Sequence, residues 1–600
     1  MPPRDLGSDP RDEYRRRLAL RRGAFGRLVR RDELLSTFRL VFFVVFAVLA
    51  VLVLGTDLVH AAWLLLPGLG FVALVVAHDR CRREKSRTER AVALYERGLS
   101  RLDDRWAGTG ETGVRFLDPG HPYAIDLDLF GRGSLFELLS TARTRAGEAV
   151  LAEWLLAPAA ADVVKDRQRA VEELRPHLEL REELALIGER VAEGVHPEAF
   201  ERWAGAAPAR LPSWLRPVAG VLTATTTIVL VAWPLLGTGP VPLVIAALVQ
   251  AAVVGLFRKP VRLIIEQSEI IESELPLLAS VMERLEREPF ATPALRVLQE
   301  RLREGGEPAS QHLARLARLI GLLEQRRNQY FAPLAALFSW GTQFAVAIED
   351  WRVARGGSIS VWLRAAGELE ALSALASHAY EHPDDAQAEI VADGPLYDAQ
   401  GLGHPLLPES SCVRNDVRVD SSTPLLVVSG SNMSGKSTLL RSVGVSAIMA
   451  LAGAPVRARA LRISPLAVGA SIRVLDSLRD GTSQFMAEVL RIRQLVRMAK
   501  GGEPLLFLID EMLGGTNSHD RKIGAEALLR ALVELSAAGL VTTHDLALTA
   551  IADGLAPRAA NVHFQDRVEE GEMLFDYTLR HGVVTRSNAL DLMRSVGLDV

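Results

Sequence analysis

Long apolar runs interrupt charged stretches through the first half of the chain. Four runs carry almost no charge and approach the roughly 20 residues that a helix needs to cross a bilayer. They are Leu40–Gly55, Leu58–Ala77, Val218–Leu236 and Val241–Phe257. Very short polar segments separate the first run from the second and the third from the fourth. We therefore predict two transmembrane helical hairpins, at residues 38–78 and 214–258.

Arginines crowd the outer flanks of both pairs, as in "RRRLALRRGAFGRLVRR" before the first run and "RCRREKSR" after the second. Positive charge marks the cytoplasmic side of a membrane protein. The pattern predicts a multi-pass protein of the cytoplasmic (inner) membrane whose large segments face the cytoplasm. For the second pair, whose "TATTT" is polar, buried core helices are the alternative.

The Arg-rich segment Arg11–Arg31 has two interpretations. It could bind anionic lipid or DNA. Topogenic charge explains it without either, and we favour that interpretation. The whole chain has a net charge of only −4, which gives no global attraction to nucleic acid. Its two cysteines, Cys81 and Cys412, form no motif and fit a reducing compartment.

Between the apolar runs, apolar residues recur three and four apart, as in "HLARLARLIGLLEQRRNQY", which predicts helices. From about Gly394, short β-like runs alternate with helices, a pattern typical of an α/β domain. The fold class is therefore an all-α part followed by an α/β P-loop ATPase domain, with two transmembrane hairpins. The predicted bounds are a basic cytoplasmic arm at 1–37, the first hairpin at 38–78, a charged helix and linker at 79–114, helical parts at 115–213 and 259–392 around the second hairpin at 214–258, and the ATPase domain at 393–600.

A glycine-rich turn, "GSNMSGKS", follows a strand-like run and precedes a helical one, and it fits GxxxxGKS. Backbone N–H groups of such a loop surround phosphate oxygens at a helix N-terminus. Lys436 would reach the β- and γ-phosphates, and the Ser437 hydroxyl would hold Mg²⁺. We predict that ATP and Mg²⁺ bind here, with nucleotide contacts from Gly430, Ser431, Asn432, Met433, Ser434, Gly435, Lys436, Ser437 and Thr438.

Two further strand ends supply chemistry. "PLLFLIDE" is a buried strand that ends in Asp510, suited to the magnesium shell, and Glu511, suited to the base that orients the attacking water. "GLVTTHD" ends in His544, whose imidazole could sense the γ-phosphate. We predict that Glu511, Lys436 and His544 are the catalytic residues of an ATPase.

These segments resemble those of the MutS family. "SGSNMSGKSTLLR" is similar to the family's phosphate loop, which carries Asn-Met inside it. The segments "DSLRDGTSQFMAE", "IDEMLGGTNSHD", "TTHD" and "FDYTLRHGVVTRSNALDLMRSVGL" also resemble family signatures. Upstream, "IDLDLFGRGSLFELLSTARTRAGEAVLAEWLLAP" and "ELEALSALASHAYEHP" are similar to its helical core and lever. The resemblance covers most of residues 115–600.

The resemblance implies an ATPase of the ABC class, with composite sites built across a homodimer. Ser483 would then reach the partner subunit's nucleotide, and Tyr577 would stack on adenine. The family's other adenine-gripping aromatic corresponds to Cys412 here. The resemblance also implies double-stranded DNA as a partner, in a mismatch-repair-like role.

The chain departs from the family where mismatch-repair members carry a mismatch-reading domain with a Phe-x-Glu wedge. A basic arm and an apolar hairpin stand there instead. A protein without the wedge cannot unstack a mismatch in that way. We expect membrane lipid as a partner and DNA binding that is independent of sequence.

A different class of function remains open: an ATP-dependent membrane scaffold or remodelling ATPase with no nucleic-acid role. A transporter is disfavoured, because the ABC transporter signature LSGGQ is replaced by "DGTSQFMAE" and the apolar runs hold no carboxylate or arginine pathway. DNA binding measured across salt concentrations distinguishes the DNA-binding ATPase from the membrane scaffold or remodelling ATPase.

Overall fold

The computed structural model describes residues 9–55, 60–187, 197–209, 211–272, 275–304, 306–473, 484–513, 518–569 and 572–584. Ser483 lies outside the described residues, so its contact with the partner subunit's nucleotide stays a prediction.

Two long antiparallel helices, α1 (Pro10–Gly55) and α2 (Leu65–Leu102), open the fold. At about 1.5 Å per residue, the 46 residues of α1 span roughly 70 Å. The predicted basic arm and charged helix are therefore not separate segments, because each continues an apolar run without a break. We call their charged ends, residues 10–31 and 79–102, the stalk.

Charge pairing and ring contacts hold the two helices together. Asp32 accepts hydrogen bonds from His78 (2.8 Å) and Lys85 (2.9 Å). Beyond this point the contacts become apolar, and the rings of Phe43 and Phe71 lie 6.0 Å apart. The switch from charged to apolar contacts coincides with the loss of charge along the sequence.

Short helices follow the stalk and form the first half of a helical body. They are α3 (Leu135–Leu139), α4 (Arg145–Leu156), α5 (Ala161–Leu174), α6 (Leu178–Ile187) and α7 (Pro197–Gly205). Ser134 and Thr144 cap α3 and α4 through their side chains, which accept backbone N–H bonds. The stretch before α3, which we expected to be mostly helical, consists of turns that pack against the C-terminal domain.

An apolar helix pair comes next, α8 (Leu215–Leu236) and α9 (Val241–Leu256). Their polar side chains point inward: Thr226 donates to Gln250 (2.8 Å), whose amide donates to Ser339 (2.6 Å). Exposed apolar side chains, including Val221 and Ile228, cover the outside of α8. These helices are therefore not buried in a protein core, which was the alternative to a membrane hairpin.

Three described helices are long and apolar enough to cross a membrane: α1, α2 with its preceding turn, and α8. The count becomes four if α9 and the next helix, Arg258–Glu269, form one span despite a 70° bend. Three of the four apolar runs therefore lie in helices that are long and apolar enough, and the fourth run does so only together with the next helix.

The second half of the helical body surrounds one very long helix. Its elements are α10 (Arg258–Glu269), α11 (Leu275–Arg287), α12 (Pro293–Arg301), the two-residue strands β1 (Arg303–Glu304) and β2 (Glu307–Pro308), α13 (Ala309–Glu324), α14 (Ala332–Leu337) and α15 (Trp340–Glu381). Helix α15 contacts α4, α5, α7, α10, α12 and α13, and it runs from the apolar pair to the C-terminal domain. Gly367 lets α4 approach closely, because a Cβ there would lie 2.8 Å from the Ala146 carbonyl oxygen.

The C-terminal domain contains two sheets. Its elements are β3 (Glu389–Ile390), β4 (Leu396–Leu402), β5 (Asn415–Asp420), β6 (Leu425–Ser429), α16 (Lys436–Ala452), β7 (Ala460–Ile463), β8 (Ala467–Ser471), α17 (Gln484–Ala499), β9 (Leu505–Ile509), α18 (Ser518–Glu534), β10 (Ala538–Thr543), α19 (Leu546–Leu555), β11 (Ala559–Glu569) and β12 (Glu572–His581). The larger sheet has the order β12-β11-β6-β10-β9-β8, parallel except for β12, and the smaller has the order β3-β7-β4-β5. The central strands β6, β9 and β10 are fully buried, which explains their uninterrupted apolar sequences.

A candidate nucleotide-binding site

The phosphate loop connects the buried strand β6 to helix α16. Gly435 has φ 99°, a left-handed conformation that favours glycine, and it directly precedes the helix. A Cβ on Gly430 would lie 2.7 Å from the Ser434 hydroxyl, so the loop closes tightly only with glycine there. Met433 is also left-handed (φ 69°) and its side chain is exposed.

The Lys436 amine is folded into this loop. It donates hydrogen bonds to the carbonyl oxygens of Gly430 (2.9 Å) and Ser431 (2.8 Å). Burial lowers the pKa of Lys436, and the nearby carboxylates of Glu511 and Asp510 act in the opposite direction. The amine is thus a buried donor held at the mouth of the loop.

Two hydroxyls of the loop are unsatisfied. The Oγ atoms of Ser431 and Ser434 are buried without a hydrogen-bond partner among the described residues. Buried polar atoms rarely lack partners in folded proteins, so these two hydroxyls are available to a bound ligand. A phosphate group fits this loop, and the oxygen donors Ser437 and Asp510 fit Mg²⁺, which prefers oxygen ligands.

The strand-end carboxylates lie together at the carboxyl edge of the sheet. Asp510 accepts a short hydrogen bond from Thr542, whose hydroxyl also accepts the Glu511 N–H (3.1 Å). Glu511 has φ 49°, an unusual backbone conformation for a non-glycine residue and one often found at functional sites. Its Oε1 lies 3.3 Å from Nδ1 of His544. Strands β9 and β10 are parallel neighbours, which explains the meeting of Glu511 and His544, 33 positions apart.

These groups surround one cleft of about 1040 Å³. Its lining includes Asn432, Met433, Gly435, Lys436, Ser437, Thr438, Asp510, Glu511 and Tyr577 among the predicted residues. His544 borders the cleft through its contact with Glu511 rather than as part of the lining. Gly430, Ser431 and Ser434 belong to the loop but are not among the residues that line the cleft.

Tyr577 lies over the phosphate loop, where its ring would be 3.2 Å from a Cβ on Gly435. Asn415 holds this strand in place, because its amide donates to the Tyr577 carbonyl (3.0 Å) and accepts from the Leu579 N–H (2.7 Å). Cys412 points away from the cleft, since its sulfur accepts the His404 N–H (3.3 Å). Stacking of Tyr577 on adenine stays a prediction.

Sequence reasoning missed a cleft residue, Arg473, whose ion-pair partner comes from the helical body. Arg473 lines the cleft and forms a short ion pair with Asp128, and Arg441 lies 3.7 Å from the same carboxylate. Asp126 accepts the N–H groups of Ile472 and Arg473, both at 2.7 Å. Burial raises the pKa of Asp126, against these hydrogen bonds. The segment "IDLDLF" carried no recognisable signal for this contact in one sequence.

Two other missed residues act behind the carboxylates. Glu488, from α17, lines the cleft and accepts a short hydrogen bond from the Leu513 N–H. Thr542 belongs to the "TTHD" segment, so its position next to the histidine was the available signal.

Comparisons with known proteins place relatives on this domain. Residues 426–599 match the model of MutS domain V. Endonuclease MutS2 of Thermus thermophilus is 32% identical over 255 residues, which is 41% of this chain and 32% of that protein. DNA mismatch repair protein MutS 1 of Halobacterium salinarum is 36% identical over 239 residues, 39% of this chain and 27% of that protein. DNA mismatch repair protein MutS of Natronomonas pharaonis is 33% identical over 243 residues, with 39% and 27% covered.

The aligned part therefore spans about a third of the length of these curated relatives or less. The family model spans the phosphate loop, both strand-end carboxylates and His544. Domain V coincides with the residues that form the cleft, so the similarity to the MutS family lies in the C-terminal domain of this chain.

Proposed function

We propose that this protein is a membrane-anchored ATPase that binds and hydrolyses Mg-ATP and couples the cycle to DNA binding. The observation that carries the proposal is the cleft itself. It brings the buried amine of Lys436, the Ser437 hydroxyl and the carboxylates of Asp510 and Glu511 to one surface. The unpartnered loop hydroxyls and the match to MutS domain V support the same assignment.

The role of each cleft residue in ATP hydrolysis follows from its position. The loop N–H groups and Lys436 hold the β- and γ-phosphates, while Ser437 and Asp510 would hold Mg²⁺, which neutralises phosphate charge. Glu511 orients the attacking water and accepts its proton. His544, 3.3 Å from Glu511, positions that carboxylate and senses the γ-phosphate.

We further propose ABC-class composite sites across a homodimer. This proposal is supported by the resemblance of the segment containing Ser483 to the MutS family's partner-facing segment. Ser483 is the candidate group of the partner. Subunits with Ser483→Arg mixed with Lys436→Ala subunits should then regain turnover at one composite site. Mixtures no more active than either variant alone would contradict the dimer.

The membrane anchor is proposed from the apolar helices and their arginine flanks, with the ATPase facing the cytoplasm. A reporter that works only outside the cytoplasm should be active when fused after Gly237 and inactive after Glu300. Activity at Glu300 would reverse the orientation, and inactivity at both would remove the second hairpin from the membrane.

The hydrolysis proposal is tested with Glu511→Gln. ATP binding should persist, while kcat should fall about 10²–10⁴-fold, because the amide cannot accept the proton of the water. Glu503→Gln, at an exposed position of the same domain, is the matched control and should keep wild-type turnover. Near-normal turnover of Glu511→Gln would remove Glu511 from the base role.

DNA coupling is tested with matched and mismatched duplexes across salt concentrations, with and without ATP. We expect weak binding at low salt, sensitive to ATP and equal for both duplexes, because backbone contacts carry no sequence information. A mismatch preference of about tenfold, or 1.4 kcal/mol, would show that this chain reads bases.

A second candidate function, an ATP-dependent membrane scaffold without DNA, is favoured by the stalk. Its arginines face carboxylates of the protein itself: Arg17 binds Glu13 (2.6 Å) and Arg22 binds Glu96 (2.6 Å). Such pairing reduces the positive charge available to a phosphate backbone. Absence of duplex binding even at low salt would select this candidate.

A further inference from the structure

Two histidines and an aspartate converge where the long helix α15 ends. His378 and His382 are four residues apart and share one helix face, and their rings lie 4.3 Å apart. Pro383 stops the helix, and the chain turns back through a hydrogen bond from the Asp385 N–H to the His382 carbonyl (3.2 Å). One ligand atom from each of the three side chains lies within 4.8 Å of the others.

The His382 ring is already oriented as a ligand. Its Nδ1 lies 3.1 Å from the carbonyl oxygen of His378. A carbonyl oxygen only accepts hydrogen bonds, so Nδ1 carries the proton and Nε2 keeps its lone pair. Metal-binding histidines are typically fixed in this way by a backbone carbonyl.

The other two side chains present unsatisfied atoms to the same point. Nε2 of His378 and Oδ2 of Asp385 are both buried without a hydrogen-bond partner among the described residues. They lie 3.8 Å apart, too far for a hydrogen bond. Two ligand atoms about 2.1 Å from one tetrahedral ion stand roughly 3.4 Å apart, so a small movement would accommodate an ion.

We propose that His378, His382 and Asp385 bind a divalent transition-metal ion, best matched by Zn²⁺. Two imidazole nitrogens and a carboxylate suit Zn²⁺, whereas Mg²⁺ prefers oxygen ligands alone, so this site is chemically distinct from the nucleotide site. The fourth position falls to water, because His382 and Asp385 are partly exposed.

The location gives the ion a structural consequence. Ala386, next to Asp385, exchanges two backbone hydrogen bonds with Val456 in the C-terminal domain (3.0 and 2.9 Å). An ion at Asp385 would therefore tie the end of α15 to the domain that carries the nucleotide cleft.

Neighbouring guanidinium groups do not occupy the ligand atoms. Arg101 is paired with Glu381 (2.6 Å), and Arg414 with Glu409 (3.1 Å). Arg457 donates to the Leu407 carbonyl (2.5 Å). The positive charge of Arg457 disfavours a bound metal ion, whereas the Asp385 carboxylate attracts one.

The test uses full-length, tag-free protein in detergent, stripped with a chelator and free of nucleotide. Titration with Co²⁺ should give the intense visible d–d bands of a four-coordinate site at one equivalent per chain, and Zn²⁺ should displace them. Loss of a second-shell partner alone costs 10–100-fold in affinity, so His382→Ala and Asp385→Asn should each weaken binding by at least about 100-fold. His581→Gln, at an exposed position, is the matched control and should bind as wild type.

Unaltered d–d bands in both His382→Ala and Asp385→Asn would mean an adventitious ion only and would overturn the proposal. Absence of a four-coordinate spectrum in a wild-type protein that is folded by circular dichroism would overturn it equally. A water molecule would then bridge Nε2 of His378 and Oδ2 of Asp385. Neither result depends on ATP hydrolysis.

Discussion

Charged side chains in the stalk and polar side chains in the nucleotide cleft differ in what they contact. Beside the stalk, Glu381 at the end of α15 is buried and accepts hydrogen bonds from the stalk residues Arg101 (2.6 Å) and Tyr14 (3.1 Å). In the phosphate loop next to the cleft, the hydroxyls of Ser431 and Ser434 are buried without described partners. The arginine-rich segment thus contacts carboxylates of the protein itself, whereas the two loop hydroxyls have no described partner and are available to a phosphate group.

The largest expected effect is on ATP affinity, and it follows from a substitution of Lys436 in the phosphate loop. Lys436→Ala removes a buried amine that would contact phosphate, and loss of one partner of such a charge pair costs about 2–5 kcal/mol. We expect ATP affinity to fall by about 100-fold or more, measured by equilibrium binding of a fluorescent nucleotide. Lys500→Ala, an exposed lysine of the same domain, should leave affinity unchanged. Equal affinity of both variants would show that the loop amine does not hold phosphate.

The next largest effect is on the free energy of unfolding, and it follows from a substitution of Glu381, which binds two stalk residues. Glu381→Ala leaves Arg101 buried and unpaired, so the free energy of unfolding should fall by about 3–5 kcal/mol. Glu96→Ala, which breaks the exposed pair with Arg22, should cost about 1 kcal/mol or less. Chemical denaturation in detergent measures both, and similar small losses would make the Glu381 cluster as dispensable as a surface pair.

The dependence of stability on pH tests a buried carboxyl group inside the helical body, that of Glu370. Burial raises the pKa of Glu370 from 4.5 to about 7, although Thr144 donates two hydrogen bonds to its carboxyl oxygen. The folded state then binds more protons than the unfolded state between these values, so this contribution to stability is complete at low pH and is lost as the pH rises through 7.

Glu370→Gln removes this titration and keeps an oxygen for Thr144. The difference in unfolding free energy, wild type minus variant, should fall by up to about 3 kcal/mol between pH 4.5 and pH 8. Parallel stability profiles of the two proteins would contradict the raised pKa.

The smallest expected effect concerns Thr542, whose hydroxyl donates to the Asp510 carboxylate and accepts the Glu511 N–H. Thr542→Val keeps the shape and removes the hydroxyl, so the Mg²⁺ concentration for half-maximal ATPase activity should rise about 10–100-fold. Thr549→Val is the control, because that buried hydroxyl donates only to the Leu546 carbonyl among its described contacts. An unchanged Mg²⁺ requirement would leave Asp510 independent of Thr542.

Much of the nucleotide site could be predicted because its chemistry is local. The loop Gly430–Ser437 needs glycines, lysine and a hydroxyl at fixed spacing, so its composition identifies it. Asp510 and Glu511 follow an uninterrupted buried strand, and parallel strands end at one edge. Long-range contacts leave no such pattern, which is why Asp128 and its ion pair with Arg473 were missed.

The sequence by itself determined the apolar runs, the α/β texture after Gly394 and the identity of the phosphate loop, because each depends on residues close together in the chain. Only the tertiary structure decided that the basic arm and the first apolar run form one helix, α1, and that its arginines face carboxylates from α2 and α6. It also decided which buried atoms stay unsatisfied, at Ser431, Ser434 and the end of α15. Partner choice depends on distances between segments hundreds of residues apart, and local sequence patterns do not encode those distances.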